Sequence, residues 1–491
     1  FTNMSDLKHK TSKGMLWSGL MSLLQQVLGL VFLVVIARKL GPTDFGMVGM
    51  LTIFTAVATC LQDGGFVWAL TNRKDVTHIQ YSTIFWFNIL LSVSIYLILF
   101  FSSPLIARYF GHEELIWLSR YVFLGIIFSS LGVIQTAYLF KQIRVKERAL
   151  ATVIGLIVSG VVGIILAYSG FSYWGIATQG LLNIGITTFA LWVMSPFRPK
   201  FQVDWKFLKK LIPEGIRFVV PNIASLVSEN IFSIILGKKY TVNDVGNFTQ
   251  ATKWNNASFS IILGMMRNVS QPVLVQVRDD KNQYLNVFRK LFRMAAFLVV
   301  PIMFGLAMVS NDLIEIVLTT KWLDSARILR ILCIGGSITV LNSMASFFIM
   351  SLNRSKLYMY IGISLSILNI VSALFVSKWG IIALAYSYTV ITTMSFIIYY
   401  VFIRQTHSYS LRMLLGDFTP IFIITIISIL ISYYSTTHIE SIYIRFISRV
   451  LIAVTSYVIS MQAIKCDSFL EVKALLANKI KKATTQFFCV I

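Results

Sequence analysis

Residues 250–260 read QATKWNNASFS, a run holding one lysine, three carboxamides and three hydroxyls between apolar stretches. Wound as a helix, Gln250, Lys253, Asn256 and Ser260 share one face. An ammonium group beside amides can hold an anion, amides match sugar hydroxyls in donor and acceptor capacity, and the Trp254 ring offers a face on which a sugar can stack. The preceding apolar run carries Arg217, Asn222, Ser225, Ser228 and Glu229, and Arg267 follows one turn and more beyond Ser260. Earlier in the chain, Ser18, Ser22, Gln25 and Gly29 fall on one helical face, and Thr52, Thr55, Thr59 and Asp63 on another. Two chemistries fit these residues. Glu229 and Lys253 are either a neutralised structural ion pair or part of a substrate or coupling-ion site. Arg217 and Arg267 either receive an anion or anchor their helices by reaching toward headgroups.

The elements that position these groups follow from composition. Hydrophobic residues make up 56% of the 491-residue chain, charged residues only 13%, and the mean hydropathy is +0.76. A soluble domain carries about one-quarter charged residues. Continuous apolar runs long enough to cross a ~30 Å hydrocarbon layer as helices recur along nearly the whole length, which excludes a barrel of alternating strands. The expected fold is all-α and polytopic, with spans near 14–36, 45–68, 81–103, 118–138, 150–169, 175–196, 213–236, 246–270, 288–309, 323–350, 358–377, 381–403, 418–434 and 444–464. That is about 14 transmembrane helices. The first run is too long and too poorly terminated for a cleaved signal and is expected to serve as an anchor.

Charge orients them. With both termini cytoplasmic, the inner segments gather Lys8, Lys10 and Lys13, then Lys141 to Arg148, Arg198 to Lys210 and Arg278 to Arg293, and the outer loops hold few basic residues. A net charge of +23 would suggest nucleic acid in a soluble protein; here the basic loops lie beside anionic membrane lipids, and no nucleic-acid partner is expected.

The chain repeats itself. ARKLGPTDFG at 37–46 and GKKYTVNDVG at 237–246 lie 200 positions apart, each between the first and second helices of a six-helix block. Pro104-Leu105-Ile106 is matched by Asp312-Leu313-Ile314, and Trp174-Gly175-Ile176 by Trp379-Gly380-Ile381. Common order and similar offsets argue for duplication. The organisation expected is an N-terminal six-helix bundle over 1–196, a like-oriented second bundle over 213–403, two additional helices over 418–464 and a cytoplasmic tail over 465–491, whose Leu470, Leu475, Leu476 and Ile480 suit a helix lying on the inner surface. Since polar groups in lipid are costly, the leading helix pair of each block is expected to surround a central cavity. At ~1.5 Å per residue, Glu229 and Lys253 then lie ~10–12 Å below the outer surface, close enough in depth to pair, and Arg217, Arg267 and Asp63 fall near the inner mouth.

Enzyme signatures are missing. Gly41 and Gly46 have phosphate-loop spacing, but Met47 stands where lysine is required, and His112-Glu113-Glu114 lacks the second histidine of a zinc protease. Cys60, Cys333, Cys466 and Cys489 are dispersed, so neither a disulfide framework, a metal site nor another cofactor is expected. Energy for any transport must come from an ion gradient, the membrane potential or consumption of the product.

The stretches KTSKGMLWSGLMSLLQQVLGLVFLVVIARKLGPTDFGMVGM, LQDGGFVWALTNRKDVTHIQYSTIFWFN and FRKLFRMAAFLVVPIMFGLAMV resemble Wzx-type polysaccharide flippases of the multidrug, oligosaccharidyl-lipid and polysaccharide exporter superfamily, over nearly all of the chain through about residue 460. The resemblance implies transfer of a polyprenyl-diphosphate-linked oligosaccharide across the bacterial cytoplasmic membrane for capsule, exopolysaccharide or O-antigen assembly, with polymerising machinery as a further partner. It also implies two six-helix bundles around a cationic cavity. On that reading Arg217 and Arg267 receive the diphosphate, Lys253 holds it later, Glu229 releases or replaces that contact, Asp63 serves in coupling or an ion pair, and Trp254, Asn256 and Gln25 meet the sugars. A drug or cation antiporter of the same superfamily is the first alternative, a membrane glycan polymerase the second and a structural scaffold the third; basic rather than acidic residues within the spans favour anionic cargo.

Overall fold

Backbone amides in hydrocarbon must find partners within their own segment, and the apolar runs accordingly fold as long helices. The computed structural model describes residues 4–64, 70, 76–142, 144–352, 354–407, 409–464 and 469–470. Side chains of 4–20 and of scattered helical positions, Arg217 and Glu229 among them, lie outside the described residues, as does the tail expected around Leu475, Leu476 and Ile480. All long elements described are helices. They are α1 (Met4–Lys39), α2 (Pro42–Gly49), α3 (Thr52–Asp63), α4 (His78–Phe110), α5 (Leu115–Lys141), α6 (Val145–Tyr168), α7 (Ser172–Met194), α8 (Trp205–Lys239), α9 (Val242–Gln276), α10 (Lys281–Leu318), α11 (Leu323–Ser351), α12 (Ser355–Val376), α13 (Ile381–His407), α14 (Leu411–Ser435) and α15 (Ile442–Ala463).

Eleven helical stretches among the described residues are long and apolar enough to cross a membrane, with α2 and α3 counting as one. Helices α8 and α9, at 35 residues each, are as long, but they carry the charged and amide residues noted above.

Contacts group the chain into two units, Phe1–Gln250 with Ser366–Lys378, and Ala251–Leu365 with Trp379–Ile491. In the first, α4 packs on α5, α5 on α7, α7 on α6 and α6 on α1. Its hydrophobic core includes Tyr81, Phe85, Ile134 and Phe197. The end of α12 joins α8 there, where Asn369 donates its amide to the Ser228 hydroxyl at 3.1 Å. In the second unit α10 packs on α11 and α11 on α13, and α14 and α15 lie together against α10. Thus the third and fourth helices of each repeat pair, the fourth and sixth pair, and the first meets the fifth.

Candidate functional site

The two matching segments owe their shared Asp-x-Gly to two separate constraints. Asp44 and Asp244 cap helix starts: the Gly41 N–H donates to Asp44 Oδ2 at 2.9 Å and the Thr241 N–H to Asp244 Oδ2 at 3.1 Å. The Asp244 N–H in turn donates to Thr241 Oγ1 at 3.2 Å, closing a reciprocal capping box. The glycines do something else. A methyl group added at Gly46 would fall on the Val242 carbonyl oxygen, and one added at Gly246 on the Pro42 carbonyl oxygen. Each repeat's glycine therefore meets the first residue of the other repeat's helix, with 42 matching 242 and 46 matching 246. A Cβ at Gly49 would stand 2.8 Å from Thr249 Oγ1. Basic residues follow the same symmetry. Lys39 lies over the Tyr168 ring at the end of α6, 5.5 Å from its centroid, and Lys239 donates to Ser377 Oγ at 2.7 Å just past α12.

Of the expected site residues, Gln25 and Asp63 lie in the first unit. Gln25 is half-buried and donates to the Ala149 carbonyl at 3.4 Å, tying α1 to the start of α6. Asp63 closes α3 ahead of Gly64, whose φ of +51° ends the helix in the left-handed region that glycine tolerates best. Its neighbour Gln62 is fully buried, accepting at its carbonyl from Asn88 (3.1 Å) and at Oε1 from Ser129 (2.8 Å). That network turns the opposite face of α3 outward, so Thr52, Thr59 and Asp63 are exposed and Thr55 half-exposed, as their spacing predicts.

On α9, Lys253, Asn256, Ser260 and Arg267 are all exposed along one face. Gln250 departs from the expectation that it shares that face: it is 0% exposed, one helical turn past Gly246, where α9 meets the start of α2. Trp254 is half-buried, and its indole N–H has no hydrogen-bond partner among the described residues. Arg217 and the expected Glu229–Lys253 pairing rest on side chains outside the described residues.

Two clusters in the second unit were not legible as sites. Asp312, near the end of α10, accepts from Arg449 at 2.6 Å and Arg445 at 2.9 Å, both on α15. Asp417 on α14 receives Arg289 through two bonds, at 2.7 and 2.8 Å, with Arg293 at 3.7 Å and the Tyr409 hydroxyl donating at 2.9 Å. Burial first, and then the Asp417 carboxylate, push the Tyr409 phenol well above its ordinary range. The clusters are about 30 Å apart along α10 at ~1.5 Å per residue, close to the ~30 Å hydrocarbon thickness. They bolt α14 and α15 to α10 at its two ends. Between the bolts lies an apolar cavity of about 460 Å³, lined by Ser258 of α9, Phe297, Pro301 and Gly305 of α10, Thr425 and Ser428 of α14, and Val450 and Tyr457 of α15. Pro301, which has no backbone N–H to close the helical ladder, sits at its wall.

Residues 35–327 match the family described as "Polysaccharide biosynthesis protein". The chain belongs to this family. It is 24% identical over 399 residues to the teichuronic acid biosynthesis protein TuaB of Bacillus subtilis, covering 80% of this chain and 82% of that one. To the lipopolysaccharide biosynthesis protein WzxC of Escherichia coli it is 22% identical, over 67% and 68% of the two chains. Among solved structures, an inward closed conformation of the lipid II flippase MurJ superposes with a TM-score of 0.77 at 16% identity, over 92% of this chain and 99% of that one. The polysaccharide biosynthesis chain thus has that polytopic helical fold.

Proposed function

We propose that this chain moves a polyprenyl-diphosphate-linked oligosaccharide between the leaflets of the bacterial cytoplasmic membrane, by alternating access, for surface polysaccharide assembly. One observation carries the reading: α9 is shared between two surfaces of opposite chemistry. Its exposed face offers Lys253, Asn256 and Arg267, and its Ser258 borders the apolar cavity against α10, α14 and α15. A substrate fitting both has an anionic, hydroxyl-rich head and a hydrocarbon tail. Such a head cannot enter hydrocarbon unaided, since burying even one unpaired hydroxyl costs about 1–3 kcal/mol and a charge far more. Arginine suits the diphosphate through its planar fork, lysine as a point charge. On this reading Arg267, with Arg217, receives the diphosphate, Lys253 holds it later, and Asn256, Trp254 and Gln25 meet sugars. Asp63 and Glu229 remain the groups for coupling or charge balance. The names of the relatives and the flippase fold support the reading, and the polymerising machinery that consumes the product is the partner proposed on the far side.

Fourteen crossings, two like-oriented six-helix blocks and cytoplasmic termini complete the proposal. The equivalent helix pairings and the reciprocal glycine contact support the duplication. The test is transfer of a fluorescent polyprenyl-diphosphate oligosaccharide in sealed vesicles containing the purified full chain. Lys253→Ala and Arg267→Ala should each lower the rate at least tenfold at unchanged protein level; unaltered rates in both would remove the α9 face from the mechanism. Glycosidic bond formation by the purified protein would instead favour a polymerase.

A further inference from the structure

A cluster of three rings joins the third, fourth and sixth helices of each repeat. Tyr81, the fourth residue of α4, packs against Tyr138 and Phe197, with ring centroids 5.6 and 5.5 Å away. Tyr284, the fourth residue of α10, packs against Phe348 and His407 at 4.7 and 5.0 Å. Phe348 and His407 each lie 210 positions beyond Tyr138 and Phe197. The second copy differs at the third ring and around it. An imidazole stands in place of the Phe197 phenyl, and its Nδ1 has no hydrogen-bond partner among the described residues although His407 is only 9% exposed. The Tyr284 hydroxyl beside it is satisfied, donating to the Phe348 carbonyl at 2.7 Å. Arg144, just before α6, is paired with Glu147 at 2.8 Å. Arg354, just before α12 and again 210 positions on, has Leu357 where that glutamate would stand. It lies over the Phe402 ring instead, 5.3 Å from the centroid. Lys281 opens α10 where His78 opens α4. The charges of Lys281 and Arg354 both reach the His407 imidazole, both side chains are exposed, and neither meets a carboxylate among the described residues. Two cations without a counterion and a buried ring nitrogen without a partner are together what an oxyanion completes.

We propose that Lys281, Arg354 and His407 form a phosphate site in the second repeat, and that it takes the headgroup phosphate of an anionic phospholipid in the inner leaflet. The arginine fork and the lysine ammonium supply the charge. The imidazole, as the tautomer with its proton on Nδ1, donates the bond that fixes one phosphate oxygen, and the Tyr284 and Phe348 rings hold it in place. What borders the site favours a lipid over a soluble phosphate compound. Tyr358 and Tyr360, in the first two turns of α12, are 39% and 63% exposed, and such amphipathic rings settle at headgroup level. Basic pockets between spans on the cytoplasmic side take anionic headgroups. A phosphate there links the start of α10, the start of α12 and the end of α13. The inference rests on the cytoplasmic termini proposed above and not on the cargo.

Native mass spectrometry of the purified full chain in detergent, titrated with phosphatidylglycerol or with phosphatidylcholine, reads the binding. Phosphatidylglycerol should bind at least fivefold more tightly, since the choline ammonium is repelled by the same cations. The Lys281→Ala/Arg354→Ala chain should lose that preference. His407→Phe, which restores the ring of the first repeat, should weaken phosphatidylglycerol at least threefold at an unchanged unfolding midpoint, and Arg144→Ala should leave it within twofold. Equal binding of the two lipids by the parent chain, or an unaltered preference in the double variant, overturns the site. A His407→Phe chain that binds as the parent does removes the imidazole and with it the built site. Displacement of the lipid by equimolar inorganic phosphate overturns the lipid assignment in favour of a free anion. For the leaflet, Lys281→Cys in a chain with its four cysteines replaced by serine, reconstituted in sealed vesicles, should react with a membrane-impermeant maleimide from the side that bears the termini; reaction from the opposite side overturns the inner-leaflet placement. None of these readouts uses transport, so loss of the site leaves the translocation reading standing, and a chain that fails to move the oligosaccharide lipid leaves the site standing.

Discussion

The two repeats agree where they touch and differ where only one of them carries extra helices. At the starts of α2 and α9 both copies use an aspartate cap and a glycine, and each glycine meets the other copy's helix start. At the end of the third helix of each copy the likeness breaks. Ile106 and Ile314 are both buried, but Pro104 and Leu105 are exposed on α4, whereas Asp312 is buried and Leu313 lines the cavity on α10. The face that the first copy leaves open is, in the second, the seat of α14 and α15. A carboxylate placed there is tolerated because two guanidiniums meet it. The matched segments are thus alike where they contact one another and differ where a further pair of helices packs on one of them.

Asp312→Ala tests the divergent position and should have the largest effect. It leaves Arg445 and Arg449 without their carboxylate, and breaking a buried ion pair by removing one partner costs about 3–5 kcal/mol. Thermal unfolding in detergent should fall accordingly, and α14–α15 should become protease-sensitive first. Pro104→Ala, at the matching but exposed position inside α4, should cause no loss, since it only restores a backbone N–H to the helix; an equal loss at both would mean the divergence is not tied to the added helices.

Gly46→Ala and Gly246→Ala test the convergent position. Each places a methyl against a backbone carbonyl, which cannot move aside as a flexible side chain can. Overpacking of this kind costs about 1–3 kcal/mol. The symmetry predicts equal losses in thermal stability, and the double variant should cost less than their sum, since one displacement relieves both clashes. Gly29→Ala, with open space around it, is the neutral control. A large loss at only one of the two crossing glycines would break the equivalence.

Much of this architecture could be read from the residues alone, and the limits have physical causes. The helical runs and the internal likeness depend on local composition and spacing. So does the exposed face of α9 at Lys253, Asn256 and Ser260, which periodicity places without knowledge of neighbours. Gln250 fits the same period, but it is buried one turn past Gly246, whose contact, Pro42, lies some 200 positions away in the sequence. The partners of Asp312 lie 133 and 137 residues downstream, and nothing in the local spacing around Asp312 points to Arg445 or Arg449. For the same reason the second glycine of each matched segment could be seen as shared but not as a crossing.

The smallest effect expected separates the two aspartate caps. Both accept from a helix-start N–H, and losing such a cap costs about 0.5–2 kcal/mol. Asp44 also accepts from the Ser172 hydroxyl at the start of α7, through Oδ1, while Asp244 meets only Thr241 among the described residues. Asp44→Ala therefore severs a link between two elements as well as a cap, and Asp244→Ala only frays the first turn of α9. The difference should be about 1 kcal/mol, the net worth of one further hydrogen bond. Ser172→Ala should remove that increment, so that Asp44→Ala made in the Ser172→Ala background costs no more than Asp244→Ala, as read from unfolding midpoints of the four proteins. An Asp44→Ala loss that persists undiminished in that background would show that the caps themselves differ, and that the likeness of the two helix starts is one of residues rather than of energetics.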